Sequence, residues 1–127
     1  MTYINDWGFV NAIQPSFKQF APAANVDTAI ITPAQNSQGL ILLEGTWFAS
    51  IPSASGTFFS LGFKFLQAAD NSANSIEIGQ TNMVLVGANY FYFGKITQPL
   101  YIPAGFGMYF FSNALATINT NFLALPV

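Results

Sequence analysis

The sequence predicts an all-β fold, a single-domain antiparallel β-sandwich or jelly roll with an extended N-terminal arm. Three observations carry that expectation. In the run Thr57 to Leu66, Phe59, Leu61, Phe63 and Phe65 recur at period two, so they share one face of a strand. Phe58, Ser60, Gly62, Lys64 and Leu66 share the other face, which is mixed, small at its centre and charged once. As a helix, the same residues would scatter Phe around the cylinder and bury a Gly. The second observation is that short apolar runs follow one another at roughly ten-residue intervals with turn residues between them, the pattern of sandwiches. The third is core material: of 127 residues, 52% are apolar and 14 are Phe, ample for one domain of this length.

The elements follow in order. Met1 to about Asn25 shows neither period. Phe9, Ile13, Phe17 and Phe20 suit one side of a short helix, but Pro15 and Pro22 break a long one. The segment is expected to be an arm over residues 1–25 with aromatic anchors at Tyr3, Trp7, Phe9, Phe17 and Phe20, or else a first strand plus a loop. The sandwich proper is expected over 26–127. Thr28 to Thr32 reads as a short strand stopped by Pro33, and Ala34 to Gly39 has turn composition. Leu40 to Ser50 reads as a long strand, apolar on both sides at its start and therefore mid-sheet, with Glu44-Gly45 marking a bulge or an edge. Ile51 to Gly56 is expected to turn, and the Phe-rich strand follows.

Gln67 to Ser75 is the most polar loop. Ile76 to Ile78 then predicts a strand, Gly79 to Asn82 a turn, and Met83 to Val86 another strand. Tyr90 to Ile96 is aromatic on both faces. Pro99 to Pro103 is short and edge-like, because its prolines cannot donate to a ladder. Ala104 to Gly107 turns into Met108 to Phe111, and Asn121 to Leu125 closes the chain. No repeat or heptad divides it.

Charge is the unusual quantity. Charged residues make up 6% of the chain, against about 25% in an ordinary domain. They are Asp6, Lys18, Asp27, Glu44, Lys64, Asp70, Glu77 and Lys95, with no Arg and no His. With so sparse a set, either much of the surface is covered by another copy or a partner, which is the preferred expectation, or Asn, Gln, Ser and Thr do nearly all the solvating. Three Lys and a net charge of −2 argue against nucleic acid, whose phosphates need basic clusters. The apolar runs are too short and broken for a membrane helix. A membrane β-barrel would need regular polar lumen positions that these strands lack.

Chemistry is mostly excluded by residue type. Without His or Cys, Ser-His-Asp and Cys-His nucleophiles and the usual zinc sites cannot be built, and no catalytic residue or cofactor is expected. A glycosidase-like carboxylate pair would fall to Glu44 and Glu77, although these suit edge solvation or pairing with Lys64 or Lys95 better. Asp70 to Asn74 has a calcium-loop flavour, but Ser75 and Thr81 stand where such a loop needs Gly and Glu. Trp47, Tyr90, Tyr92 and Tyr101 mix aromatic and polar character, which suits either subunit contact or stacking on a sugar. Trp47, Tyr90 and Tyr92, with the arm aromatics, are the expected contact residues.

Two segments carry a resemblance: Thr28-Ala29-Ile30-Ile31-Thr32-Pro33 followed by Asn36-Ser37-Gln38-Gly39-Leu40-Ile41-Leu42, and Tyr101-Ile102-Pro103-Ala104-Gly105-Phe106-Gly107-Met108-Tyr109-Phe110. Through these the chain resembles the capsid decoration (cement) proteins of tailed bacteriophages and the related jelly-roll modules of tail fibres. The resemblance implies a non-enzymatic homotrimer on the virion's capsid surface, contacting the major capsid protein, with an arm reaching a neighbour. A chain that starts at Met1 and forms one compact unit suits decoration better than a fibre tip. The alternative is a carbohydrate-binding host-attachment module of a tail fibre or spike.

Overall fold

The computed structural model describes residues 17–52, 60–73, 80–96 and 99–126. Among these residues nine strands occur: β1 (Phe17–Phe20), β2 (Thr28–Ile31), β3 (Leu40–Pro52), β4 (Leu61–Leu66), β5 (Gln80–Val86), β6 (Asn89–Ile96), β7 (Leu100–Ile102), β8 (Gly107–Ser112) and β9 (Thr117–Pro126). One 3-10 turn, Pro33–Gln35, follows β2. The expected all-β class holds, as two antiparallel sheets packed in a sandwich-like arrangement.

The larger sheet runs β1-β9-β3-β6-β5, with β7 also paired to β3; the smaller runs β2-β8-β4. β3 is central, as its doubly apolar start predicts. It pairs along one edge with β9 and along the other with β7 and then β6. The register against β9 shifts between Leu42 and Glu44, which places a bulge beside the expected Glu44-Gly45 irregularity. A second shift, between Ala29 and Ile31 on β2, lets the consecutive residues Ile30 and Ile31 both enter the core.

Alternation sorts the remaining side chains. Trp47, Ala49 and Ile51 point inward from β3, and Ile118, Phe122 and Ala124 do so from β9. They meet Leu61 and Phe63 of β4 and Met108 and Phe110 of β8. Phe63 lies at the centre, edge-on to both Trp47 (5.7 Å) and Phe110 (5.6 Å), a favoured aromatic geometry. The Phe-rich run therefore supplies the core as expected from Leu61 onward; Phe58 and Phe59 lie outside the described residues.

Several boundaries differ from the sequence expectation. Ile51 and Pro52 extend β3 instead of turning, because they pair with Tyr90 and Asn89. Gln80 to Asn82 belong to β5 and not to a turn, held by pairing with Lys95, Gly94 and Phe93. β9 begins at Thr117, earlier than its apolar stretch suggests, since Thr117 to Asn121 complete the ladder to β3. Phe17 to Phe20, inside the 1–25 segment expected as an arm or as a first strand plus a loop, form a strand paired with β9.

Candidate functional site

The smaller sheet is buried on both faces, and its outer face holds a deeply placed ion pair, Lys64 with Asp27. Lys64 leaves β4 on the side opposite Phe63 and is fully buried. Its Nζ donates to both oxygens of Asp27, at 2.8 and 3.0 Å, to the Ser72 carbonyl at 2.7 Å, and to Asp70. It also stands 5.1 Å from the centre of the Phe111 ring, where a cation is attracted to the ring face.

Asp27 immediately precedes β2, and its side chain is 0% exposed. The Asp27 Oδ2 atom accepts the backbone N–H groups of Asp70 (2.8 Å) and Asn71 (2.9 Å). Asp27's own N–H donates to Asn71 Oδ1 at 2.8 Å. The polar loop after β4 is thus wrapped onto Asp27, with Asn71 in the left-handed backbone region at φ 51°, which Asn tolerates. The ammonium of Lys64 lies between the carboxylates of Asp27 and Asp70, the latter from the segment with calcium-loop flavour.

Burial alone would lower the Lys64 pKa, but the hydrogen bonds and charges of Asp27 and Asp70 outweigh it and hold the group above its ordinary value. The Lys64 hydrogen bond holds Asp70 below the usual carboxylate range. Burial, and then the Asp27 charge, raise the phenol of Tyr109, the cross-strand partner of Lys64.

The second feature lies at the far edge of the larger sheet. Among the described residues β5 pairs with β6 alone. Met83, Leu85 and Val86 of β5 are 57%, 54% and 58% exposed, and Val84 is exposed too. Met83 and Leu85 pair with Tyr92 and Tyr90, on the same side as inward-facing Ala49 and Ile51. On the outward side, Phe48 packs against Phe91 and Phe93 at 5.4 and 5.2 Å, and Val84 adjoins Phe91. The β5–β6 ribbon is consequently apolar on both faces, and β5 carries no charge.

The expected contact residues separate here. Tyr90 and Tyr92 lie on the ribbon, half-buried, with ring centres 6.5 Å apart. Trp47 does not join them. It is 3% exposed and fixed in the core over Gly94, so it has no face to offer a partner or a sugar ring. The inward phase of β3 decides this. Tyr3, Trp7 and Phe9 lie outside the described residues, as does Glu77. Phe17 and Phe20 are placed by backbone pairing alone.

Sequence reasoning assigned Met83 to Val86 a strand but no exposure, since an unbroken apolar run ordinarily signals burial on both faces. The Asp27–Lys64–Asp70 cluster had as its only signal a lysine inside a strand of large apolar residues.

The arrangement defines an all-β sandwich with an apolar edge ribbon and a buried lysine–carboxylate cluster. No protein-family model, curated protein or solved structure matches the chain.

Proposed function

We propose that this chain is a non-enzymatic structural protein of a virion, a capsid decoration protein that acts as a homo-oligomer, a trimer by its resemblance, and grips its neighbours by apolar contact. The supporting observation is the β5–β6 ribbon. Burial of apolar surface contributes roughly 25 cal/mol per Å², and an edge strand, which β5 is among the described residues, is a template for another chain. Soluble proteins ordinarily blunt such an edge with charge or Pro; Gln80 to Val86 contain neither. An edge of that composition presents no repulsion to a second copy of itself. The scarcity of charge over the whole chain supports the same reading, because a covered surface needs few solvating ions.

Sedimentation equilibrium at micromolar concentration, followed by co-sedimentation with purified virion shells, tests the proposal. A multiple of the protomer mass and retention on shells are expected. A monomer that stays in the supernatant would sink it.

A further inference from the structure

We propose that Lys64 and Asp27 condense spontaneously to an isopeptide bond, with Asp70 carrying the protons, so that the mature chain is covalently stapled across its smaller sheet. This inference stands apart from the assembly role and survives its failure.

The placement of groups is that of a reactive site. The nucleophile, Lys64 Nζ, is hydrogen-bonded to both Asp27 oxygens at 2.8 and 3.0 Å, so a rotation of that carboxyl group is all that is needed to turn the face of its carbon to the amine. Asp27 Oδ2 already receives two backbone N–H donors, from Asp70 and Asn71. Donors in that position stabilise the negative oxygen that develops when a carboxyl carbon is attacked. Asp70 contacts the same Nζ and is partly open to solvent, its side chain 38% exposed. It is therefore placed to take protons from nitrogen and return them to oxygen.

The step balances without any added reactant. In the resting ion pair the ammonium keeps its proton; the step starts from the minor state in which Asp70 has relayed one proton from Lys64 to Asp27 Oδ1, leaving a neutral amine and a neutral carboxyl group. The amine attacks Asp27 Cγ, forming the C–N bond, and Oδ2 carries the developing charge between its two N–H donors. Asp70 then carries the second proton released by nitrogen to Oδ1, which departs as water when its C–O bond breaks. An ammonium and a carboxylate become a neutral secondary amide plus water, and Asp70 ends ionised as it began.

Two physical effects favour the product. Both partners are held in contact by the fold, which replaces an encounter in solution with an effective concentration of about 10⁵ M or more. The amide also removes two ions from a site with 0% side-chain exposure at both partners, where ionic groups are costly to keep. Phe111 and Tyr109, both nearly buried, line this outer face. Asp27 sits at the start of β2 and Lys64 on β4, the two strands that β8 separates. The bond therefore ties the outer strands of the sheet together over the central one.

Intact-mass spectrometry of the purified, folded full chain tests this. The wild type is expected to lose the mass of one water relative to its sequence, while Asp70→Asn and Lys64→Arg variants keep their full masses. Asp70→Asn keeps the polar contacts but cannot shuttle protons. Should it fold poorly, fragmentation of the wild type decides alone, by a branched peptide joining the segments around Asp27 and Lys64. A wild type that retains its full mass after prolonged incubation in the folded state overturns the proposal and leaves an ion pair. A branch at Asp70 in place of Asp27 overturns the assignment of roles.

Discussion

The indole of Trp47 lies directly over Gly94 of the neighbouring strand, in the space a β-carbon at residue 94 would fill. The two residues are register partners of β3 and β6, so the largest side chain of the inner face is matched with the absence of one. Gly94→Ala would drive a methyl group into the ring. Overpacking of this kind costs about 1–3 kcal/mol, and the expected outcome is a lower urea midpoint with an unchanged slope. Equal midpoints for wild type and variant would show that the indole moves freely aside.

The same pair shows how far the sequence was legible. Period-two alternation gave the strands and put Leu61 and Phe63 in the core, because a half-buried strand records its inward face residue by residue. It could not say that Trp47 is core while Tyr90 and Tyr92 are half-buried on the ribbon, since that depends on which strands the three-stranded sheet covers. Met83 to Val86 read only as a strand, with no position in the sheet, and the strand order is what makes it an edge. Lys64 read as the charge on a mixed face; its burial depends on Asp27, 37 positions away, and on a loop whose polarity suggested solvent.

A charge placed on the edge strand should separate copies of the protein. Leu85 is 54% exposed and is not one of the buried core residues, so Leu85→Lys is expected to leave secondary structure and thermal midpoint nearly unchanged. Like charges brought face to face across a shared edge are destabilising. Sedimentation should therefore show the variant shifted to the protomer mass at concentrations where the wild type is assembled. A variant that assembles as the wild type does would remove β5 from the interface.

Lys64 should prove costly to remove. Relative to unlinked protein, in which the ion pair is intact, Lys64→Met leaves Asp27 buried without its cation, and breaking a buried pair on one side costs about 3–5 kcal/mol. The double variant Lys64→Met with Asp27→Leu removes both charges and is expected to recover part of that loss. A cycle of chemical denaturation on the single and double variants measures the coupling. Additive losses would show that the two groups do not act together.

The cluster also sets how stability depends on pH while it remains an ion pair. The Lys64 pKa is raised above 10.5 in the folded protein, so its contribution is complete below that value and is lost as pH rises through the folded value. The Asp70 pKa is lowered below 3.8, so its contribution is present above 3.8 and is lost as pH falls through the folded value. Unlinked protein should thus show a thermal midpoint that falls along both limbs. An amide-bonded chain has no Lys64 ammonium to titrate and should lack that alkaline limb. Asp70→Asn, expected to remain unlinked, should retain it. Thermal melts of the wild type and this variant at rising alkaline pH distinguish the two states.

Asn36 offers a test at the turn between β7 and β8. Its side chain is buried at 1% exposure, and its Nδ2 donates to the carbonyls of Pro103 (2.8 Å), Phe106 (2.9 Å) and, more weakly, Ile102 (3.3 Å). Its own carbonyl accepts the Gly105 N–H at 2.7 Å. One side chain thereby holds the turn between β7 and β8, the turn that delivers Gly107 against the Ile31 carbonyl, where a β-carbon would not fit. Asn36→Ala removes the donor and strands buried acceptors, at about 1–3 kcal/mol. Asn36→Asp keeps the shape but turns a carboxylate oxygen toward those carbonyls, so it is expected to be the more destabilising of the two. Denaturation midpoints ordered wild type, Ala, Asp would support this account. An Asp variant as stable as the wild type would show that Nδ2 is not what holds the turn.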